Sequence, residues 1–167
     1  QRDVRVLKVI AGLHGFEIRA SEDKAVRAER IAERTVGQGP AFRLASAGDE
    51  LRIRRHDPAD GIAEGVKVIV ETIRQKQPQS KIVLLAVFPR GEKPTANPGR
   101  DKLNEVNSII SKLHDGKNIH FLDIGSKFLQ PDGSLTKDIM PDYLHLSEAG
   151  YQIWADAISP KLAELMK

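Results

Sequence analysis

Seven apolar residues stand together without a polar interruption, Ile82-Val83-Leu84-Leu85-Ala86-Val87-Phe88. The run is far short of the ~18 residues of a membrane span. It also lacks the apolar–polar alternation of a strand with one wet face. It reads instead as a strand covered on both sides, the pattern of a central strand in a parallel sheet. Parallel neighbours cannot be joined by a tight turn, so the chain on either side must supply crossover helices. Before the run, Asp57 suits an N-cap and Pro58 a first helical position, and Ile62, Val66, Ile69 and Ile73 fall on one helical face. Gln77-Pro78-Gln79 ends that helix. After the run, Leu103, Val106, Ile109, Ile110 and Leu113 mark a second helix, with Asn104 and Asn107 inside it as structural hydrogen-bonders. Residues 118–124 form a further short strand. Asp123 closes it and is placed to fix the following loop. Helix, strand, helix, strand, helix predicts an α/β domain with a parallel sheet and right-handed crossovers.

The last helix begins near Ser147, a candidate N-cap, with Leu146 and Tyr151 positioned as a hydrophobic staple. Tyr151, Trp154, Ile158, Leu162 and Leu165 mark its expected buried stripe, with Trp154 a core residue. Pro160 should kink or restart it. Just upstream, Pro131-Asp132-Gly133-Ser134 carries turn chemistry.

Composition narrows the function classes. The chain has 167 residues, 40% hydrophobic and 29% charged, which suits a single globular domain. A net charge of +3 is too small to argue for nucleic acid. No cysteine is present, so disulfides and thiolate chemistry are excluded. No apolar segment reads as a membrane span or a signal peptide, and both cytoplasmic and exported locations stay open. Oligomeric state is not legible.

The basic residues divide the chain. Residues 1–56 hold ten Arg and two Lys, whereas residues 57–167 hold three Arg and eleven Lys. This places a seam near His56, from a fusion, a graft or a shifted reading frame. In the Arg-rich part, residues 4–10 suit a buried strand ended by Gly12 and Gly15. Ser21 suits the N-cap of a thin helix carrying Ala25, Ala28, Ile31 and Ala32, stopped at Gly37-Gln38-Gly39-Pro40. Leu51 and Ile53 alternate with Arg52 and Arg54 as a short strand would. Gly12-Leu13-His14-Gly15 lacks the further glycines, or the Gly-Lys-Ser/Thr, that a phosphate loop needs. The arginines read as a solvated helix face.

Chemistry is concentrated in Pro141-Asp142-Tyr143-Leu144-His145-Leu146-Ser147. A turn started by Pro141 would bring the Asp142 carboxylate to the His145 ring. The carboxylate would then accept the Nδ1 proton, fix the tautomer and leave Nε2 as a general base. Such a base serves a hydroxyl nucleophile. Capping of the last helix is the competing role for the two side chains. The topology places this loop at the carboxyl edge of the sheet, where open α/β folds bind ligands. The Pro89-Arg90-Gly91-Glu92-Lys93-Pro94 loop falls on the same edge, with Arg90 a candidate substrate-loop residue.

Several segments together resemble the SGNH (GDSL-type) hydrolases, and within them the platelet-activating-factor acetylhydrolase Ib catalytic subunits and their bacterial relatives. They are Leu84-Leu85-Ala86-Val87-Phe88-Pro89-Arg90-Gly91-Glu92, Lys102-Leu103-Asn104-Glu105-Val106-Asn107, Phe121-Leu122-Asp123, Pro131-Asp132-Gly133-Ser134-Leu135, and Asp142-Tyr143-Leu144-His145-Leu146-Ser147 with Gly150-Tyr151. The resemblance covers residues 57–167. It implies a three-layer α/β/α, flavodoxin-like domain of which these residues are the C-terminal part. It also implies hydrolysis of acyl esters, such as acetyl esters of lipids or carbohydrates, with neither metal nor cofactor. By resemblance Asp142 orients His145 and His145 is the base. The family's Gly-Asp-Ser nucleophile and Gly-Thr-Asn-Asn-like oxyanion segment do not appear. Gly48-Asp49 is followed by Glu50, the expected asparagine position reads Arg52-Ile53-Arg54-Arg55-His56, and Ser21 and Ser46 lack a nucleophile's setting. Two readings follow: an ester hydrolase whose nucleophile is not identifiable in this chain, or a non-catalytic α/β module in which Asp142 and His145 are structural.

Overall fold

The computed structural model describes residues 4–12, 15–21, 51–53, 58–95 and 97–167, with side chains from residue 58 onward. The apolar run forms strand β4 (Lys81–Leu85), following β1 (Val4–Gly12), β2 (Gly15–Ser21) and β3 (Leu51–Ile53), and preceding β5 (Ile119–Leu122). The sheet order is β3-β2-β1-β4-β5. Helix α1 (Ala59–Lys76) precedes β4, α2 (Pro98–Ile110) lies between β4 and β5, and α3 (Glu148–Leu165) ends the chain. A short 3-10 turn, Ser111–Leu113, extends α2, and another, Gly125–Phe128, follows β5.

The expected parallel sheet holds only for β1, β4 and β5, which pair in parallel. The sheet is mixed, because β2 runs antiparallel to both of its neighbours, β1 and β3. Gly12 pairs with Gly15, so two positions separate the strands, and so short a connection returns only antiparallel. The alternation Phe16, Ile18, Ala20 with Glu17 and Arg19 is the sequence signal for β2. Ser21, expected as a helix N-cap, is the last residue of β2. The helix expected after it lies outside the described residues, as does Ser46.

Strand β4 is buried from Ile82 onward, as its composition requires. Ile82, Val83, Leu84 and Leu85 are all fully buried. Alternate side chains serve opposite faces. Ile82 and Leu84 pack with Ile62, Val66, Val70 and Ile73 of α1 and Leu103, Val106 and Ile110 of α2. Val83 and Leu85 pack with Phe128, Met140, and Ile158 and Leu165 of α3. Each such aliphatic side chain contributes ~1.5–3 kcal/mol by leaving water. Ala86, Val87 and Phe88 continue the buried run beyond the strand.

Asn107 makes that continuation possible. Its Oδ1 accepts from the Val87 N–H at 2.7 Å, and its Nδ2 donates to the Val87 carbonyl at 2.9 Å. One amide side chain thus satisfies both main-chain groups of a buried residue beyond the end of the strand.

Helix ends depart from expectation in small ways. Pro58 precedes the first helical residue rather than occupying it, and Asp57 lies outside the described residues. Helix α3 runs through Pro160 without restarting. Ile158 and Leu165, on either side of the proline, are buried in the same apolar cluster, and that packing holds the two halves in line. Ser147 caps α3 as expected, accepting from the Gly150 N–H at 3.1 Å. A Cβ at Gly150 would lie 2.6 Å from the Ile139 carbonyl oxygen, so only glycine lets the helix start this close to the preceding loop. Leu146 packs into the core, but Tyr151, expected in the stripe and the staple, is 53% exposed. Its ring instead meets Trp154 edge-on at 6.4 Å. Among the described residues no helix is long and apolar enough to cross a membrane.

Asn107→Ala should cost about 2 kcal/mol or more, because it strands two buried main-chain groups of Val87 at once. Urea denaturation reads this directly, and a loss of a few tenths of a kcal/mol would refute the role given to Asn107.

Candidate active site

The turn carrying Asp142 and His145 is assembled by its own residues. The Met140 carbonyl accepts from the Tyr143 N–H at 2.9 Å, closing a β-turn with Pro141 at its second position, where a fixed φ is favourable. Met140 is fully buried and anchors the turn to the core. The Ile139 carbonyl accepts from the Ser147 N–H at 2.9 Å, which ties the far end of the turn to α3.

Within the turn the Asp142 carboxylate is an organiser. Its Oδ1 accepts from the main-chain N–H of His145 at 2.8 Å and of Leu144 at 3.1 Å. Its Oδ2 lies 2.6 Å from His145 Nδ1. A carboxylate can only accept, so Nδ1 carries the proton, and in the neutral ring Nε2 keeps its lone pair. Partial burial pushes the Asp142 pKa up. The His145 N–H, the His145 ring and the Leu144 N–H outweigh it, and the net shift is downward. The imidazole is 60% exposed and the carboxylate 44%, so the pair sits on the surface and not in the apolar interior.

Tyr143, between them, has φ of 57°, the left-handed region that a bulky side chain adopts at a cost of ~1–3 kcal/mol. That conformation lets one carboxylate gather donors from both residues 144 and 145. Two contacts hold it there. The Tyr143 carbonyl accepts from the Gly91 N–H at 3.0 Å, and the Lys137 ammonium lies 6.0 Å from the ring centroid.

The Gly91–Tyr143 bond brings the loop after β4 against the Asp–His turn, so the two loops meet on one edge as the topology predicts. Gly91 itself has φ of +75°, and a Cβ there would lie 2.6 Å from Asn97 Nδ2. Arg90 belongs to this loop. Its guanidinium lies over the start of α2, where a Cβ at Gly99 would fall 3.1 Å from both Nε and Nη2. Asp123 fixes its own loop, accepting from the Gly125 N–H at 2.8 Å.

Two residues that the sequence reading passed over hold the edge together. Asn97 caps α2, and its Nδ2 donates to the carbonyls of Arg90 and Lys93. Arg100, in the first turn of α2, is 7% exposed and donates only to main-chain carbonyls in its described contacts. Burial pushes its pKa down. A cation in a helix's first turn opposes the helix dipole, and that misplacement was a readable signal that Arg100 has a special task.

The folded Asp142 carboxyl titrates below its unfolded value of ~3.9. Its contribution is therefore present above that value and lost as pH falls through the folded one. Asp142→Asn should lower stability at neutral pH, and the gap should close as pH falls below about 4. Denaturation midpoints measured across the acid range check this, and a gap independent of pH would contradict it.

The GDSL-like lipase/acylhydrolase family matches residues 11–153. The human platelet-activating factor acetylhydrolase IB subunit alpha1 is 37% identical over 109 residues, 65% of this chain and 46% of that protein. The rat alpha2 subunit is 42% identical over 94 residues, 56% of this chain and 40% of that protein. The chain thus spans less than half the length of these relatives. A GDSL-like lipase from Bacteroides thetaiotaomicron superposes with a TM-score of 0.53 at 18% identity, covering 65% of this chain and 54% of that one, and so shares its fold. With most of its length matched, the chain belongs to the GDSL-like lipase/acylhydrolase family.

Proposed function

We propose that this chain carries the acid–base half of a Ser-His-Asp site for hydrolysing small acyl esters. His145 is the general base and Asp142 its orienter. The observation that carries the reading is the 2.6 Å contact between Asp142 Oδ2 and His145 Nδ1, on a ring that is 60% exposed. A helix cap alone would need neither the ring contact nor the exposure. Helix α3 already has Ser147 as its cap.

The Asp142–His145 contact supports a serine-hydrolase mechanism. Nε2 takes the proton of an attacking serine hydroxyl as its oxygen bonds to the ester carbonyl carbon. The imidazolium so formed is stabilised by the Asp142 carboxylate, which stays ionised. Nε2 then returns the proton to the departing alcohol. Water repeats the sequence on the acyl-enzyme and releases the acid. Ser147 is not the nucleophile, because its hydroxyl accepts from Gly150 and donates to the Asp138 carbonyl. The Gly-Asp-Ser and Gly-Thr-Asn-Asn-like segments that supply the serine and the oxyanion asparagine in the family do not appear in the sequence.

The substrate is a small ester of a lipid or a carbohydrate, and the acetylhydrolase names of the alpha1 and alpha2 relatives favour an acetyl group. Arg90 borders it as part of the loop after β4. In this reading residues 57–167 are the C-terminal part of a three-layer α/β/α, flavodoxin-like domain, and residues 1–56 are an atypical Arg-rich segment. The opposite packing of α1 and α2 against α3 about β4 supports that layering.

On p-nitrophenyl acetate the chain alone should show slow turnover, and His145→Ala should remove its enzymatic part. Rates unchanged by His145→Ala would sink the proposal in favour of a non-catalytic module. Fast turnover abolished by His145→Ala would reveal a nucleophile within the chain, and fluorophosphonate labelling of Ser21 or Ser46 would locate it.

A further inference from the structure

Arg100 is a buried cation with an unusual set of partners. Its Nε donates to the Arg90 carbonyl at 2.9 Å, Nη2 to the Gly91 carbonyl at 2.7 Å and the Glu92 carbonyl at 3.5 Å, and Nη1 to the Gly133 carbonyl at 2.6 Å. Three successive carbonyls of the loop after β4 therefore converge on one guanidinium, whose donors form a rigid planar fork.

The direction of those bonds matters. The C=O and N–H of one trans peptide unit lie in a common plane and point in opposite directions. The Arg90 carbonyl and the Gly91 N–H belong to the same unit. With the carbonyl turned onto Arg100, the N–H is turned away, and it donates to the Tyr143 carbonyl at 3.0 Å. The Tyr143 carbonyl and the Leu144 N–H belong to a second such unit. That N–H donates to Asp142 Oδ1 at 3.1 Å. Arg100, two peptide units and Asp142 are thus joined in series by three hydrogen bonds of 2.9, 3.0 and 3.1 Å. A cation stands at the donor end and an anion at the acceptor end, so both peptide dipoles align with the field between them. Chains of this kind strengthen each member by polarisation.

We propose that Arg100 is a positioning residue for the Asp142–His145 pair, acting through the peptide units 90–91 and 143–144 to fix the carboxylate that orients the ring. Its value to turnover rests on the hydrolase reading above. The hydrogen-bonded chain does not. Arg100 also holds Tyr143 in its left-handed conformation at one remove, since the Gly91 N–H is what grips the Tyr143 carbonyl.

The test compares two guanidinium clamps. Arg74 Nη1 donates to the carbonyls of Pro78 and Ser80 at 2.8 and 2.9 Å, ahead of β4 and away from the Asp–His turn. Arg74→Met is therefore a control that removes similar chemistry elsewhere. In the full chain, NMR follows the Asp142 carboxyl carbon through a pH titration and the amide proton shifts of Gly91 and Leu144. Arg100→Met should move the Asp142 pKa upward and shift both amide protons upfield, and Arg74→Met should do neither. Arg100→Lys keeps the charge without the fork and should give the same changes in part. It carries the test if Arg100→Met fails to fold. Unaltered Asp142 and Leu144 signals in a folded Arg100 variant would overturn the proposal, as would equal changes in Arg74→Met, since both mark Arg100 as a general stabiliser only. The readout does not depend on turnover. These shifts in a chain whose rates are unchanged by His145→Ala would sink the hydrolase reading alone, and His145-dependent turnover without them would sink this one alone.

Discussion

A hydrogen bond between the Gly91 N–H and the Tyr143 carbonyl, 3.0 Å long, joins the loop that leaves β4 to the turn that precedes α3. Gly91 and Tyr143 lie 52 positions apart in sequence and have no strand ladder between them. What each does depends on the other. Without the bond, Tyr143 would have little reason to hold φ at 57°. Without that backbone conformation, Asp142 would lose the geometry in which one oxygen takes two main-chain N–H groups and the other takes the ring. The exposed dyad is thus set by the buried Met140 and Arg100 and by the half-buried Asn107, which holds Val87.

This arrangement explains how a surface pair can stay ordered. Exposed ion pairs contribute little to stability by themselves, ~0–1 kcal/mol. The Asp142–His145 contact does not have to hold the turn, because the turn is already closed by main-chain bonds from Met140, Ile139 and Gly91. Its free energy is available for orienting the ring. The locally unfavourable backbone at Tyr143 is kept by its surroundings, as the proposed role of the pair requires.

Much of this was legible in the sequence. The unbroken run 82–88 announced a doubly covered strand, and the helical spacing of Ile62, Val66 and Ile73 announced the helix that covers it. Pro141, Asp142 and His145 announced a turn in which a carboxylate meets an imidazole. The antiparallel hairpin was missed because its strand, from Phe16 to Ala20, alternates over only five residues and was read through as a connection to a helix. Tyr151 was misjudged because helical spacing sets a direction but not what stands opposite. Arg100 was missed because its partners are all carbonyls, which every residue possesses and no motif records. Only its position in the first turn of a helix marked it out.

The central physical claim is that the strand-end loop and the Asp–His turn behave as one locked unit. Native-state hydrogen exchange at the Gly91 amide tests it most directly. The account predicts that this amide exchanges far more slowly than a free peptide, although it lies in a partly exposed loop. Exchange at the free-peptide rate would mean that the two segments merely lie side by side, and the account of how the dyad is held would be wrong.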